Sequence, residues 1–410
     1  MAPIRTFDER YPVEGPCNSS SHAVAQATAW LMGPGRETAD AAALLDGFSA
    51  CLSGLGLPLA RATTHAPTLH PSFRWVMRVW HPGASSLALR RRHGIETTPI
   101  FHGNTVEHVV ETRTPFQCRV DGDGPLLFPV LGELRNEGLT DYLIAPLRAA
   151  RGRMGAASWA TARPGGFTPI EIDTLLALVE PFSLLFEIKA LDDMLGAVLS
   201  AYVGRDPARQ ILAGTVRRGD VRLMRVAMML TDLRGFGELS DRQCPDRVVA
   251  ALNRMFDAIV PAVEAEGGEV LKYIGDGLLA VFDADHDEAE ARRAALRAAE
   301  AALDALATLR DGHRPAFEVG VALHVGEVAY GNIGGGDRVD FTAIGRDLNV
   351  LARVERLCKT YDTPLIATDT FLDGLEHSLE PLGTVAPRGF AERHALFGHR
   401  RTAPVEAPAA

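Results

Sequence analysis

Residues 227–239 read AMMLTDLRGFGEL and residues 272–282 read KYIGDGLLAVF. In the first stretch the apolar run Val226–Leu230 predicts a strand that Asp232 closes. In the second, alternating apolar residues flank Gly275-Asp276-Gly277, which predicts a β-hairpin with Asp276 at its turn. A carboxylate at a strand end and another at a hairpin tip can converge on one point. Hard divalent cations take oxygen ligands of this kind and complete their shells with substrate phosphates. The pair therefore predicts a two-carboxylate, two-metal site for phosphoryl transfer. Either aspartate alone reads as a turn or cap residue, and the matched apolar flanks set the pair apart.

Outward from this pair, Lys272 lies four residues before Asp276, near the end of the same strand. Its ammonium is a solvated surface charge or a donor to a base-ring acceptor. Further on, residues 341–359 read FTAIGRDLNVLARVERLCK. Thr342 ends a strand, Gly345 turns the chain, and Asn349 and Arg353 stand four apart on one helix face. Arginine offers a fork for phosphate oxygens, and asparagine a polar donor to sugar or phosphate. From residue 220 the predicted order is strand 224–231, helix 246–266, strands 269–274 and 278–282, helix 285–310, strands 317–325, 327–333 and 339–344, then helix 347–358. This β-α-β-β-α-β order predicts an α+β, ferredoxin-like core, one antiparallel sheet with helices on one face.

Composition bounds the rest. With 410 residues the chain predicts two domains. A net charge of −10 argues against a nucleic-acid partner. No apolar run reaches membrane-spanning length, and MAPIRTFDERYPVEG lacks the apolar core of a signal peptide. Five cysteines without CxxC spacing favour reduced thiols, so a cytoplasmic setting is expected.

Taken in order, MLTDLRGFGELS, GGEVLKYIGDGLLAVF, VALHVGEVAYGNIG and DFTAIGRDLNVLARVE resemble the class III nucleotide cyclases, over roughly residues 220–400. The resemblance implies that Asp232, Asp276 and the Leu233 carbonyl hold two Mg²⁺ or Mn²⁺ ions. It implies that Lys272 and Thr342 read the purine, Asn349 orients the ribose and Arg353 stabilises charge on the α-phosphate. Arg388, in PRGF, falls where the family often has a lysine for the terminal phosphates. Lysine with threonine implies adenine, as in the bicarbonate-responsive bacterial subgroup, and so an adenylate cyclase using ATP. Arg346 departs from the aspartate or proline that many relatives carry after the glycine. The resemblance further places the site between two copies of the chain. A guanylate cyclase and a non-enzymatic dimeric scaffold with the same fold are the alternatives. A GGDEF-type enzyme is disfavoured because Gly334-Gly335-Gly336-Asp337-Arg338 lacks the acidic pair.

Residues 1–40 read as a lead-in. Residues 41–181 resemble, in the order of their elements, an α/β GAF-type sensor domain ending in DYLIAPLRAARGRMGAASWATARPGGFTPIEIDTL, with an unknown ligand or signal. Thr168, Pro169 and Glu171 form a capping box that starts a helix, and Pro181 is expected to kink or restart it. Residues 182–219 read as a linker whose Leu185, Ile188, Leu191, Leu195, Val198 and Leu199 suit a two-stranded coiled coil. Residues 220–400 are the catalytic domain and 401–410 a disordered tail. The first domain is expected to regulate the second.

Overall fold

The computed structural model describes residues 5–6, 18–98, 101–122, 124–311, 314–336, 338–385 and 393–399. The chain divides into two compact units, Met1–Ala201 and Tyr202–Ala410.

In the first unit seven described strands form one antiparallel sheet: β1 (Arg5–Thr6), β2 (Arg61–Pro67), β3 (Phe73–Trp80), β4 (Leu87–Arg92), β5 (Phe116–Arg119), β6 (Asp141–Arg148) and β7 (Met154–Thr161). Their order across the sheet is β1-β5-β6-β7-β2-β3-β4. The helices are α1 (Asn18–Met32), α2 (Ala41–Gly54), α3 (Thr105–Thr112), α4 (Pro129–Asn136) and α5 (Pro169–Val203). Alternation along β6 makes two cores: Leu143, Ala145 and Leu147 pack with α1, α2 and α5, whereas Tyr142 and Ile144 pack with α3 and α4. Helix α1 lies within the stretch read as a lead-in.

The capping box forms: Thr168 N donates to Glu171 Oε2 at 2.7 Å, and Glu171 N to Thr168 Oγ1 at 3.3 Å. The expected restart at Pro181 is absent, because α5 runs unbroken from Pro169 to Val203. A proline inside a helix costs about 3 kcal/mol. Around it Leu178, Val179, Phe182, Leu185 and Phe186 are buried, each contributing roughly 1.5–3 kcal/mol, so packing holds the helix through the proline. Leu185, read from sequence as part of the coiled-coil stripe, belongs to this core. Of the residues read as the stripe, Ile188, Leu191 and Leu195 are exposed, and Leu184 and Tyr202 are exposed with them.

The second unit comprises α6 (Arg205–Leu212), β8 (Val221–Leu233), α7 (Phe236–Arg242), α8 (Pro245–Ala265), β9 (Glu269–Ile274), β10 (Gly277–Asp283), α9 (Glu288–Thr308), β11 (Arg310–Asp311), β12 (Arg314–Pro315), β13 (Val319–Gly335), β14 (Arg338–Ile344), α10 (Arg346–Thr360), β15 (Leu365–Thr368), α11 (Asp369–Leu372), β16 (Glu380–Val385) and β17 (His394–Gly398). The main sheet runs β16-β17-β15-β13-β8-β10-β9, with β14 paired to β13. Three expectations are corrected. Helices cover both faces: α8 and α9 pack on one, α10 on the other. The central strand β8 requires this, since Ala227 and Met229 bury on one side and Val226 and Met228 on the other. The sheet is mixed, because β13 and β15 run parallel. The two strands expected over 317–333 are one, β13, and Gly326 makes no turn.

His324, on β13, is buried, with Nδ1 2.8 Å from Thr368 Oγ1 and its ring edge-on to His394. Burial holds its pKa down to about 4, against the pull of Asp347. The unfolded imidazole titrates near 6.5. Between those values the unfolded chain binds the extra proton, so acidification destabilises the folded unit. Glu355 acts oppositely, its pKa pushed up to about 7 by burial and Asp232, so the His324 effect is read as a difference. Relative to His324→Gln, the wild type is expected to lose about 2 kcal/mol between pH 6.5 and 5. Thermal melts at both pH values check this, and a pH-independent difference would refute it.

Candidate active site

Asp232 lies at the end of β8, opposite Gly320 of β13. Arg234 N donates to Glu318 O at 2.8 Å, so 234/318 is a hydrogen-bonded pair of the ladder and, two residues on, so is 232/320. Opposite residues share a face, and the even-numbered residues of β8 face α10. Asp232 therefore points to the α10 side of the sheet. An added Cβ at Gly320 would stand 3.0 Å from Cys358 Cβ and 3.1 Å from Glu355 Oε1. Glycine there lets α10 press onto the sheet beside Asp232.

The hairpin reading holds. Ile274 pairs with Gly277 across a two-residue turn, and Gly275, its first residue, has φ 63°. Strand β10 pairs with β8 with Leu278 opposite Thr231. That register brings the turn carrying Asp276 alongside the end of β8. Close approach enforces it, because a Cβ at Gly277 would lie 1.9 Å from the Thr231 carbonyl. Leu278 N also donates to Thr231 Oγ1 at 3.1 Å. Since 232/320 is the bonded pair, the main-chain groups of Leu233 turn from β13 towards the β10 edge, where the hairpin lies.

Electrostatics record the crowding. The Asp232 pKa is raised by burial and then by the Asp276 carboxylate, with Arg356 opposing. Two repelling carboxylates beside a strand end, with a main-chain carbonyl facing the same edge, have the oxygen chemistry that a hard divalent cation takes, the remaining positions falling to water or phosphate oxygens. Among the described residues no group of three or more His, Cys, Asp or Glu side chains is placed to hold a metal ion.

Lys272, on β9, donates from Nζ to Asp340 Oδ2 of β14. Phe341 and Ala343 of β14 point inward and are buried, so Asp340, Thr342 and Ile344 share the outer face. The structure thus brings Lys272 to the face that carries Thr342. Asn349 and Arg353 lie on α10, whose Val350, Leu351, Val354 and Cys358 are buried against the sheet. The helix is pinned at its start: Asp347 Oδ2 accepts from Glu327 N at 2.7 Å, in space left by Gly326, where a Cβ would stand 2.1 Å away. Asn349 Nδ2 donates to Gly345 O at 3.1 Å. Within one chain, then, the aspartate pair sits with Glu355 and Arg356, while Lys272 and Thr342 sit with Asp340. Arg388 lies outside the described residues.

Sequence reading missed Asp340, Glu355 and Arg356. Glu355 and Arg356 lie two and three residues after Arg353, and Gly320, a glycine within an apolar strand, is the signal of close approach that marks their packing.

Residues 221–371, which hold every one of these described groups, match the adenylate and guanylate cyclase catalytic domain. The second unit carries a class III adenylate/guanylate cyclase catalytic domain. An uncharacterized protein of Mycobacterium tuberculosis is 32% identical to the chain over 212 residues, covering 50% of this chain and 35% of that protein. Adenylate cyclase 1 of Rhizobium meliloti is 29% identical over 170 residues, 40% of this chain and 26% of that enzyme. The chain thus spans about a third of the length of such relatives. The crystal structure of the adenylyl cyclase CyaB from P. aeruginosa aligns with a TM-score of 0.40 at 21% identity, over 44% of this chain and 95% of that one. The cyclase domain and the first unit contain no described helix long and apolar enough to cross a membrane.

Proposed function

We propose that the protein is an adenylate cyclase that converts ATP to 3′,5′-cyclic AMP and pyrophosphate in a homodimer, with two shared sites. The observation that carries the reading is the Asp232–Asp276 pair, brought close enough by the pairing of β10 with β8 that the Asp276 carboxylate raises the Asp232 pKa. Mg²⁺ or Mn²⁺ held there supplies acidity at the ribose 3′-hydroxyl and neutralises the triphosphate. Lys272, a pure donor, meets the ring-nitrogen acceptor of adenine, and Thr342 Oγ1 accepts from the exocyclic amine. Asn349 orients the ribose, Arg353 stabilises charge at the α-phosphate and Arg388 binds the terminal phosphates. Relatives named adenylate cyclase at 29% and 30% identity support the choice of adenine.

A second copy is called for because Asp232 interacts with Asp276 and Arg356, whereas Lys272 is engaged with Asp340 on the face that carries Thr342. Tyr273, Ile274, Val339 and Ile344, exposed next to Lys272 and Thr342, give a partner apolar surface to cover. On α5 the exposed Leu184, Ile188, Leu191 and Leu195 fall on alternating four- and three-residue spacings, with Tyr202 one heptad beyond Leu195, the seam of a coiled coil. That helix makes the first unit, read as GAF-like, the regulator of the cyclase domain. The free thiols of Cys51, Cys118, Cys244 and Cys358 agree with a cytoplasmic setting.

Turnover of ATP and GTP by the purified chain, with Mg²⁺ and with Mn²⁺, tests the reading. ATP is expected to be preferred, and Lys272→Glu to lower that preference roughly ten- to a hundredfold, the effect of an unpaired polar group of about 1–3 kcal/mol. Conversion to a guanylate cyclase is not expected, since Thr342 still suits adenine. Equal use of both nucleotides by the wild type defeats the adenine assignment.

A further inference from the structure

Away from the cyclase domain, the first unit holds a cavity of about 320 Å³ between α5, the start of α2 and the strands β2, β3 and β4. Interiors leave few voids larger than a water molecule, and small-molecule sites begin at roughly 300 Å³. Ala66, Ala88, Ala190 and Ala197 face the space, where larger side chains would fill it. Its charged wall residues among those described are Asp40, Arg78, Arg90 and Asp193, two of each sign. Val76 pairs with Ala66 of the α5-side core and with Arg90, so Arg78 and Arg90 stand on that same face of the sheet. The Arg78 side chain is only 9% exposed, and its Nη2 donates to Asp193 Oδ2 at 2.6 Å. Asp40, the N-cap of α2, acts on both: burial lowers the Arg78 pKa against the pull of Asp193 and Asp40, and raises that of Asp193, with Arg78 opposing and Asp40 adding. Packed apolar residues are often as stable as a buried ion pair, because burying charge costs hydration. Charges kept at the wall of a cavity are better placed to meet a ligand than to hold the fold.

The balance of signs selects among charged ligands. A simple anion would leave the cavity with an excess negative charge and a simple cation with a positive one, whereas a zwitterion keeps it neutral and meets both signs. A narrower recess adjoins, sharing Ala66, Pro67, Ala190 and Met194 with the cavity and adding the apolar Leu147, Phe186 and Leu191. The charged Arg153 and Glu187 at this recess face each other at 3.9 Å. The recess measures about 40 Å³. At about 10–15 Å³ for each water-sized group it takes roughly three of them, the size of an aliphatic side chain. We infer that the first unit binds a small zwitterion with an aliphatic side chain, an amino acid or a dipeptide. Its carboxylate meets Arg78 and Arg90, its ammonium meets Asp40 and Asp193, and its side chain enters the recess beside Phe186 and Leu191.

Titration calorimetry on the full-length chain tests this with L-leucine and L-leucyl-L-leucine. The controls are isocaproate, which lacks the ammonium of leucine, isoamylamine, which lacks its carboxylate, and glycine, which lacks its side chain. At least one of the two zwitterions is expected to bind, one per chain, and the tighter of the two tells an amino acid from a peptide. Isocaproate, isoamylamine and glycine should bind at least about tenfold more weakly, each leaving charged or apolar groups of the site unmet. Asp193→Asn should weaken binding about ten- to a hundredfold. Ala88→Leu, at an exposed position of β4, should fill the cavity, remove binding and move the melting temperature by no more than about 2 °C. No binding of either zwitterion at about 10 mM, where even millimolar affinity is detected, overturns the inference. So does isocaproate or isoamylamine binding as tightly as leucine, or Ala88→Leu binding like the wild type. The analogues and Ala88→Leu decide the matter even if Asp193→Asn does not fold. Because binding is read directly, the outcome is independent of which nucleotide the cyclase domain uses.

Discussion

Asp276→Asn is expected to lower cyclic AMP formation by about a hundredfold or more, which corresponds to roughly 3 kcal/mol of lost transition-state stabilisation. The substitution keeps the shape of the side chain and the hairpin that bears it, and removes the charge. That charge repels Asp232, raising its pKa in the folded protein. Its loss relieves a strain of the metal-free state, so the variant should melt at the wild-type temperature or slightly above it when no divalent ion is present. Adding Mg²⁺ or Mn²⁺ should raise the melting temperature of the wild type and do so far less for the variant, because a ligand that binds only the folded state stabilises it. Full turnover by Asp276→Asn, or an undiminished response to the cations, would remove the aspartate pair from the chemistry.

Asp232→Ala and Arg353→Ala chains are each expected to be inactive and to regain activity when mixed. If a site draws its aspartates from one protomer and Lys272, Thr342, Asn349 and Arg353 from the other, a mixed dimer contains one site with both lesions and one intact site. Equal, freely exchanging chains form mixed dimers in about half of all pairs, so recovery should approach about a quarter of wild-type activity. The geometry within one chain motivates this. The charges acting on Asp232 are those of Asp276 and Arg356, whereas Lys272 is engaged with Asp340. Mixed dimers that are demonstrated physically but remain inactive would place the whole site within one chain.

Much of the site was legible because its residues stand at punctuation points of the chain. Asp276 is read from the turn Gly275-Asp276-Gly277, and Asp232 from the end of an apolar run, both set by local rules that need no tertiary information. The same holds for the capping box at Thr168 and Glu171 and for the strand Phe73–Trp80. Local rules failed where packing outweighed them. Pro181 is expected to kink or restart α5, yet no restart occurs there, because buried neighbours on both sides carry the helix through it. Gly326 should turn the chain, yet it lies inside a 17-residue strand because the Asp347 side chain fills the space it leaves.

By itself, then, the sequence determined which residue types occupy the strand end, the hairpin turn and the polar helix face, since backbone propensity and hydrophobic period are properties of a few neighbouring residues. Only the tertiary structure decided which of them meet. The pairing of Leu278 with Thr231 sets Asp276 beside Asp232, across 44 positions of sequence, and the glycines at 277 and 320 admit the close approaches that this requires. The union of Lys272 with Asp340 joins strands that share no ladder. Contacts of this kind depend on register and on the faces that distant segments bury, and a carboxylate two residues from a predicted site residue reads as ordinary surface charge until its partner is seen.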